Sequence, residues 1–226
     1  MASFEIVTFP VGILQCNCSI VLHPSTKTAV VVDPGDDVEQ ILGIIKSHNI
    51  VVKALWHTHA HLDHIGATAT LWNECKSINE KNGAAAPQIF LYKEDSWLYN
   101  NVPIQASLIG MNSFDVVQPT DLLTGKTKIV FDEMESFLSP GHTPGSACLK
   151  INSDCDFEAP QEFLIPRNLS GRKVLFTGDT LFRRSIGRTD LWGGSFPTIE
   201  KSIQNKIYTL DDDLLVIPGH GPFTTI

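Results

Sequence analysis

Four of the chain's eight histidines fall between His57 and His64, in the run Leu55-Trp56-His57-Thr58-His59-Ala60-His61-Leu62-Asp63-His64. Imidazoles and a carboxylate packed this densely repel one another when charged, and a metal that binds the neutral rings is the usual reason for such a cluster. The preceding apolar run, Ile50 to Trp56, reads as a strand, so the cluster stands at a strand end. In an extended segment His57, His59 and His61 would share one face. Asp63 and His64 join them only if the chain turns, and Gly66 permits such a turn. Spacing alone does not say which histidines bind.

The rest of the chain has to build a frame that holds such a site. Phe4 to Phe9, Ser19 to His23 and Ala29 to Asp33 read as a strand meander closed by Pro34-Gly35. Val38, Ile41, Leu42 and Ile45 fall at helical spacing, and a second helical stretch spans about Gly66 to Asn82 before a strand at Gln88 to Tyr92. Trp97 to Met111 reads as a packed helix rather than a lid, broken at Pro103. Further strands are expected at Lys126 to Phe131, Met134 to Ser139, Ser146 to Ile151, Lys173 to Thr177 and Asp213 to Ile217, with a helix near Ile199 to Tyr208. Asn152 to Arg172 looks like a long polar surface loop. Two sets of strands interleaved with helices predict an α+β fold, two mixed sheets face to face with helices outside. With 226 residues and 42% hydrophobic content, one domain covering residues 1–226 suffices for a core without disulfides.

Composition narrows the function classes. A net charge of −8 gives no overall field for nucleic acid or anionic lipid, and no apolar run approaches the ~20 residues of a membrane span. The start lacks a secretory pattern, and five irregularly spaced cysteines suggest reduced thiols in the cytoplasm. The partner expected is therefore a small molecule, not nucleic acid or membrane.

Three further residues stand at strand ends among turn residues: His142 in Ser-Pro-Gly-His-Thr-Pro-Gly, Asp179 in Thr-Gly-Asp-Thr and His220 in Pro-Gly-His-Gly-Pro. Each is weak singly; beside the cluster they complete a site. Thr58-His59-Ala60-His61-Leu62-Asp63-His64, followed in order by His142, Asp179 and His220, resembles the metallo-β-lactamase superfamily over essentially the whole chain. Gly178-Asp179-Thr180-Leu181-Phe182 running into Ser185-Ile186-Gly187-Arg188-Thr189-Asp190-Leu191 is most similar to its glyoxalase II-like hydrolases. Asn17-Cys18 and Val32-Asp33-Pro34-Gly35 fit the amino-terminal sheet of that branch.

The resemblance implies a four-layer αββα sandwich holding two divalent metals, zinc first, with iron or manganese also fitting. His59, His61 and His142 would hold one metal, Asp63, His64 and His220 the other, with Asp179 bridging. The metals would lower the pKa of a shared water from ~15.7 toward ~7, so that no Ser or Cys nucleophile is needed. Asp63 would orient the resulting hydroxide. A thioester such as S-lactoylglutathione suits this chemistry, because a thiolate leaves without an added general acid. His57 is left out of the set, either fixing a neighbour or facing solvent. His23 and His48 read as surface residues, and Cys16-Asn17-Cys18 as a packed strand end. Arg183, Arg184 and Arg188 are candidates to bind a substrate carboxylate, and an ion pair of Arg188 with Asp190 is equally compatible. The chain stops six residues after His220, without room for the carboxy-terminal helical domain that helps longer glyoxalase II enzymes hold glutathione. The competing readings are a mononuclear-iron persulfide dioxygenase of the same superfamily and a lactone or ester hydrolase.

Overall fold

The computed structural model describes residues 4–108, 110, 115–160 and 171–226. It opens with the antiparallel meander β1 (Phe4–Val11), β2 (Cys16–His23) and β3 (Thr28–Val32). Helix α1 (Val38–Ser47) then buries Ile41, Leu42 and Ile45 on one face, and Asn49 ends it in the left-handed conformation that asparagine tolerates. Strand β4 (Val51–Trp56) runs parallel to β3, helices α2 (Leu62–Ile65) and α3 (Thr68–Lys81) follow, and β5 (Gln88–Tyr92) runs parallel to β4. A 3₁₀ turn (Lys93–Asp95), α4 (Ser96–Asn100) and α5 (Val102–Leu108) lead to β6 (Asp121–Leu123) at the sheet edge.

The second half comprises β7 (Thr127–Ile129), β8 (Phe131–Leu138), β9 (Ala147–Glu158), β10 (Arg172–Gly178), the small hairpin β11 (Leu181–Phe182) and β12 (Ser185–Ile186), α6 (Phe196–Ser202), β13 (Leu215–Pro218) and β14 (Thr224–Thr225). A π-helical turn, Ile203–Ile207, continues α6. The two halves face each other across a core in which Phe4, Val30, Trp56 and Tyr92 meet Met134, Leu149, Phe176 and Ile217. On the outer side of the first half, α1 and α3 cover a second core that includes Ile20, Val31, Leu55 and Leu71. On the outer side of the second, Ile199, Ile203 and Ile207 pack on Cys148 and Leu175. Helix, sheet, sheet and helix are therefore stacked as the αββα expectation requires.

Several boundaries differ from the sequence reading. The two halves form one hydrogen-bonded sheet of 12 strands, because β9 pairs with β8 and β10 and its far end runs parallel to β1, Phe4 opposite Cys155 through Val7 opposite Glu158. The expected loop from Asn152 is thus strand as far as Glu158. Ile151, Ser153 and Cys155 point inward while Asn152, Asp154 and Asp156 point out, a period-two pattern disguised by a polar residue on the buried side. Residues 161–170 of that stretch lie outside those described, as does Met111. The helix expected from Gly66 is two, α2 and α3, with Gly66 between them. Pro103 is the second residue of α5, where a missing N–H costs nothing, so it begins a helix instead of breaking one. Leu98, Tyr99 and Val102 are buried with Leu91, so this part of the stretch is packed structure, while Trp97, Ile104 and Leu108 are exposed. His23 is half-buried, its ring stacked on Phe131, whereas His48 is exposed. Among the described residues no helix is long and apolar enough to cross a membrane.

Leu149 is fully buried between the two halves. Leu149→Ala is expected to cost about 2–5 kcal/mol of stability, whereas Lys150→Ala on the other face of β9 should stay within about 0.5 kcal/mol; chemical denaturation of the two variants reads the difference.

Candidate metal centre

Strand ends place the candidate donors along one edge of the molecule. His59 and His61 follow β4, Asp63 and His64 lie on α2, His142 lies between β8 and β9, Asp179 follows β10, and His220 follows β13. The turn that the cluster needs occurs at His61, the extended residue preceding α2. Backbone packs on backbone there: a Cβ on Gly35 would come within 1.7 Å of the Asp63 carbonyl oxygen, and one on Gly66 within 2.3 Å of that of Gly35. Only glycine at both positions lets the β3–α1 loop seat α2.

Two sets of donors result. His59 Nε2 lies 3.0 Å and His142 Nε2 2.9 Å from His61 Nδ1. His64 Nε2 lies 3.3 Å from His220 Nε2 and 3.7 Å from Asp63 Oδ2, which is 3.2 Å from His220 Nε2. Asp179 stands between the sets. Its Oδ2 is 3.5 Å from His142 Nε2, and its Oδ1 is 3.5 Å from His64 Nε2 and 3.8 Å from His220 Nε2.

The outer atoms of the rings decide what the inner ones offer. His59 Nδ1–H donates to Thr58 Oγ1 (3.0 Å), His64 Nδ1–H to Asp33 Oδ2 (2.9 Å), His142 Nδ1–H to the Arg188 carbonyl (2.7 Å) and His220 Nδ1–H to the Leu14 carbonyl (3.0 Å). Each Nε2 lone pair then faces inward, as metal ligation requires. Asp179 Oδ1 is buried without a hydrogen-bond partner, and a Cβ on Gly219 would reach within 2.2 Å of it. Convergent lone pairs, an orphaned carboxylate oxygen and the space kept by Gly219 fit divalent cations.

Electrostatics agree. Burial first, and then the neighbouring rings, hold His59 well below the usual histidine range and bring His61 down to about 3. Burial alone would raise the carboxyl pKa values of Asp63 and Asp179, but His64 and the adjacent rings overrule it and hold both below their ordinary value. His64 runs the other way. Burial opposes its charge, yet the negative field of the Asp63, Asp179 and Asp33 carboxylates raises its pKa. A proton on His64 thus sits where the carboxylates call for a cation.

Residues outside the expected set brace it. Asp33 accepts hydrogen bonds from the Thr58 N–H (2.7 Å) and hydroxyl (2.7 Å) besides orienting His64. Buried Asp95 ties two donor loops together, accepting from the Ala60 N–H (2.9 Å), the Gly145 N–H (2.6 Å) and the Thr143 hydroxyl (2.8 Å). Asn17 donates to the Pro218 and Gly221 carbonyls on either side of His220. Asp33 was visible in sequence as a strand end before Pro-Gly within the Val32-Asp33-Pro34-Gly35 resemblance, and Asp95 only as one charge in Lys93-Glu94-Asp95. Nothing in the sequence distinguishes either as a brace.

His57 does not share the face of His59 and His61, nor does it reach solvent. Its Nδ1–H donates to the Phe90 carbonyl (3.1 Å) and its Nε2 accepts from the Thr68 hydroxyl (2.7 Å), with burial lowering its pKa. It anchors β4 to β5 and α3. Cys16 packs with Sγ 3.4 Å from His64 Nδ1, and burial pushes its thiol up to about 12. All five cysteines are buried free thiols. Arg188 is paired with Asp190 through Nε and NH2 (2.8 and 2.9 Å), while Arg183 and Arg184 are exposed at the tip of the β11–β12 hairpin, in a separate open cleft beside His220.

The profile of the metallo-beta-lactamase superfamily matches residues 11–154 and 168–220. Hydroxyacylglutathione hydrolase GloC of Haemophilus influenzae is 32% identical over 229 residues, spanning 98% of this chain and 93% of its own. Among solved structures, that of BLEG-1 B3 metallo-beta-lactamase superposes with a TM-score of 0.71 at 30% identity, covering 97% of this chain and 93% of that one. TTHA1623 in a di-iron-bound form gives a TM-score of 0.71 at 27% identity over 96% and 92% of the two chains.

Asp33→Asn is expected to weaken divalent-cation affinity by about ten- to a hundredfold, read by competition with a chelator. Asp95→Ala leaves three buried donors without an acceptor and should cost about 3 kcal/mol or more of stability, read by denaturant titration.

Proposed function

The chain belongs to the metallo-beta-lactamase superfamily, and on that premise we propose that it is a metal-dependent hydrolase that cleaves a thioester. One observation carries the reading: two inward-facing donor sets share the Asp179 carboxylate, while Asp63 faces both the second set and the adjoining cleft. His59, His61 and His142 would hold one ion, Asp63, His64 and His220 the other, and Asp179 would serve both. Such ions supply a hydroxide near neutral pH and polarise a carbonyl oxygen. Zinc is the metal assigned first, and the di-iron form of TTHA1623 supports iron as the alternative.

The chain's own residues then have limited tasks. Asp63, kept ionised, accepts a hydrogen bond from the attacking water at a carboxylate oxygen and orients its lone pair toward the carbonyl carbon. Thr58, Asp33 and the Arg188 and Leu14 carbonyls keep the ring nitrogens fixed, so that little reorganisation accompanies reaction. The leaving sulfur departs as a thiolate with a pKa of about 8.5 and takes no proton from the protein. Arg183 and Arg184 are proposed to meet an anionic end of the substrate, supported by their having no acidic partner among the described residues and by their position beside His220. Arg188 is already paired with Asp190, so a substrate carboxylate there would compete with that residue. The 32% identity to GloC supports a hydroxyacylglutathione-type thioester as the first substrate to try. The proposal places this reaction in the cytoplasm on a small molecule, with neither nucleic acid nor membrane as partner.

The test pairs elemental analysis of protein purified without added metal with hydrolysis of S-lactoylglutathione. Two ions per chain with thioester turnover are expected, and Asp63→Asn should lower kcat by about a hundredfold. One iron per chain with oxygen uptake on glutathione persulfide would overturn the reading in favour of a dioxygenase. Turnover of lactones but not thioesters would overturn it in favour of an ester hydrolase.

A further inference from the structure

The donor cluster floors a cleft of about 440 Å³ whose walls are of a different character. His61, Asp63, His142 and Asp179 form its floor, while Ile13, Leu14, Leu108, Leu191 and Trp192 stand around it. These five are exposed large hydrophobics: Ile13 is 92%, Leu14 59% and Trp192 42% accessible. Single apolar side chains on a surface need no explanation, but five converging on one reactive floor do.

Ile13 and Leu14 form the tip of the β1–β2 hairpin, and that tip is tied down. The Gly12 N–H donates to Asp37 Oδ2 (2.8 Å), and the Gln15 N–H (3.1 Å) and side-chain amide (2.7 Å) donate to the Gly12 carbonyl. The Leu14 and Gln15 carbonyls accept from His220 Nδ1 (3.0 and 3.2 Å), so the tip is registered directly on a donor ring. The backbone of the tip is thereby held against the floor, with the Ile13 and Leu14 side chains projecting from it.

The polar groups of the walls are already committed. Gln105 accepts from the Leu62 N–H and donates to the Ala60 carbonyl, and Arg188 holds Asp190 with two hydrogen bonds. The other charge on the walls is the carboxylate of Asp36, which repels an anion. A ligand portion carrying carboxylates would therefore compete with Asp190 for the one cation among the described wall residues, whereas an alkyl or aromatic portion meets five apolar side chains.

We infer that this cleft receives an apolar substituent of the thioester, and that Ile13 and Leu14 on the hairpin tip set selectivity for it. The catalytic half of this inference rests on the thioester reading above; the binding half does not. An apolar group could be carried by the acyl side or by the sulfur, and the two are separable by experiment.

Kinetics with N-acetylcysteamine thioesters from acetyl to octanoyl vary the acyl side, and S-ethyl to S-octyl thioacetates vary the sulfur side. In the metal-loaded enzyme kcat/KM should climb by about fourfold per added methylene in one of the two series, since burying a CH₂ contributes ~0.8 kcal/mol. The series that climbs identifies the side. The double variant Ile13→Ser/Leu14→Ser should flatten that climb. In parallel, the metal-free protein is titrated with the non-hydrolysable thioether S-octyl-N-acetylcysteamine and read by tryptophan fluorescence. A saturable change that is lost in Trp192→Phe, and whose midpoint moves at least tenfold higher in the double variant, is expected. Flat series, an unchanged slope in the variant, or no saturable binding would overturn the inference. Thioether binding at the tip without turnover of any thioester would overturn the hydrolase reading and leave the cleft assignment supported.

Discussion

Five imidazoles and two carboxylates lie within a few ångströms of one another, four of the rings buried, and the surrounding structure depends on meeting that constraint. Buried charge is costly unless compensated, so His59 and His61 are held neutral, the carboxylates must face positive charge, and the outer ring nitrogens call for oxygens. Asp33, Thr58 and the carbonyls of Leu14 and Arg188 answer the last requirement for four of the rings. The close glycine contacts at positions 35, 66 and 219 answer a steric version of the same demand.

The sheet explains how residues so distant in sequence meet. Parallel pairing of β3 with β4 and of β10 with β13 brings the carboxyl ends of four strands to one edge. Asp33, the histidine cluster, Asp179 and His220 all follow those ends directly. Strand β9 joins the two halves by hydrogen bonds, which limits their freedom to slide and so preserves the alignment of the two donor sets. The chemistry sits in loops, and the positional accuracy comes from the strands beneath them.

Much of this was legible in the sequence because it is local. The density of histidines, the apolar run leading into them and the turn residues around His142, Asp179 and His220 pointed to a site and to strand ends, and the helix at Val38 and the strand at Gln88 follow simple periods. What was not legible depends on tertiary partners. His57 has the same spacing as His59 and His61, and only the approach of β5 and α3 turns its ring away. The outer half of β9 carries a polar residue on its buried side, so its alternation looked like a loop. Asp95 is a brace because two loops close over it, a relation that no window of sequence contains. Arg188 was open between a substrate contact and an ion pair, and it makes the ion pair, with two hydrogen bonds to Asp190.

The bonds from His220 to the carbonyls of Leu14 and Gln15, and from Asn17 to those of Pro218 and Gly221, close loops of about 200 residues. Closing a loop of that length is entropically unfavourable until most of the intervening structure exists. During synthesis the histidine cluster leaves the ribosome long before Asp179 and His220, and in that interval it is a half-built chelator. The complete donor set is consequently assembled late, once the carboxy-terminal strands dock. The His59, His61 and His142 donors all precede Asp179 and His220 in the chain, which gives the two halves of the site an order of assembly written into its topology.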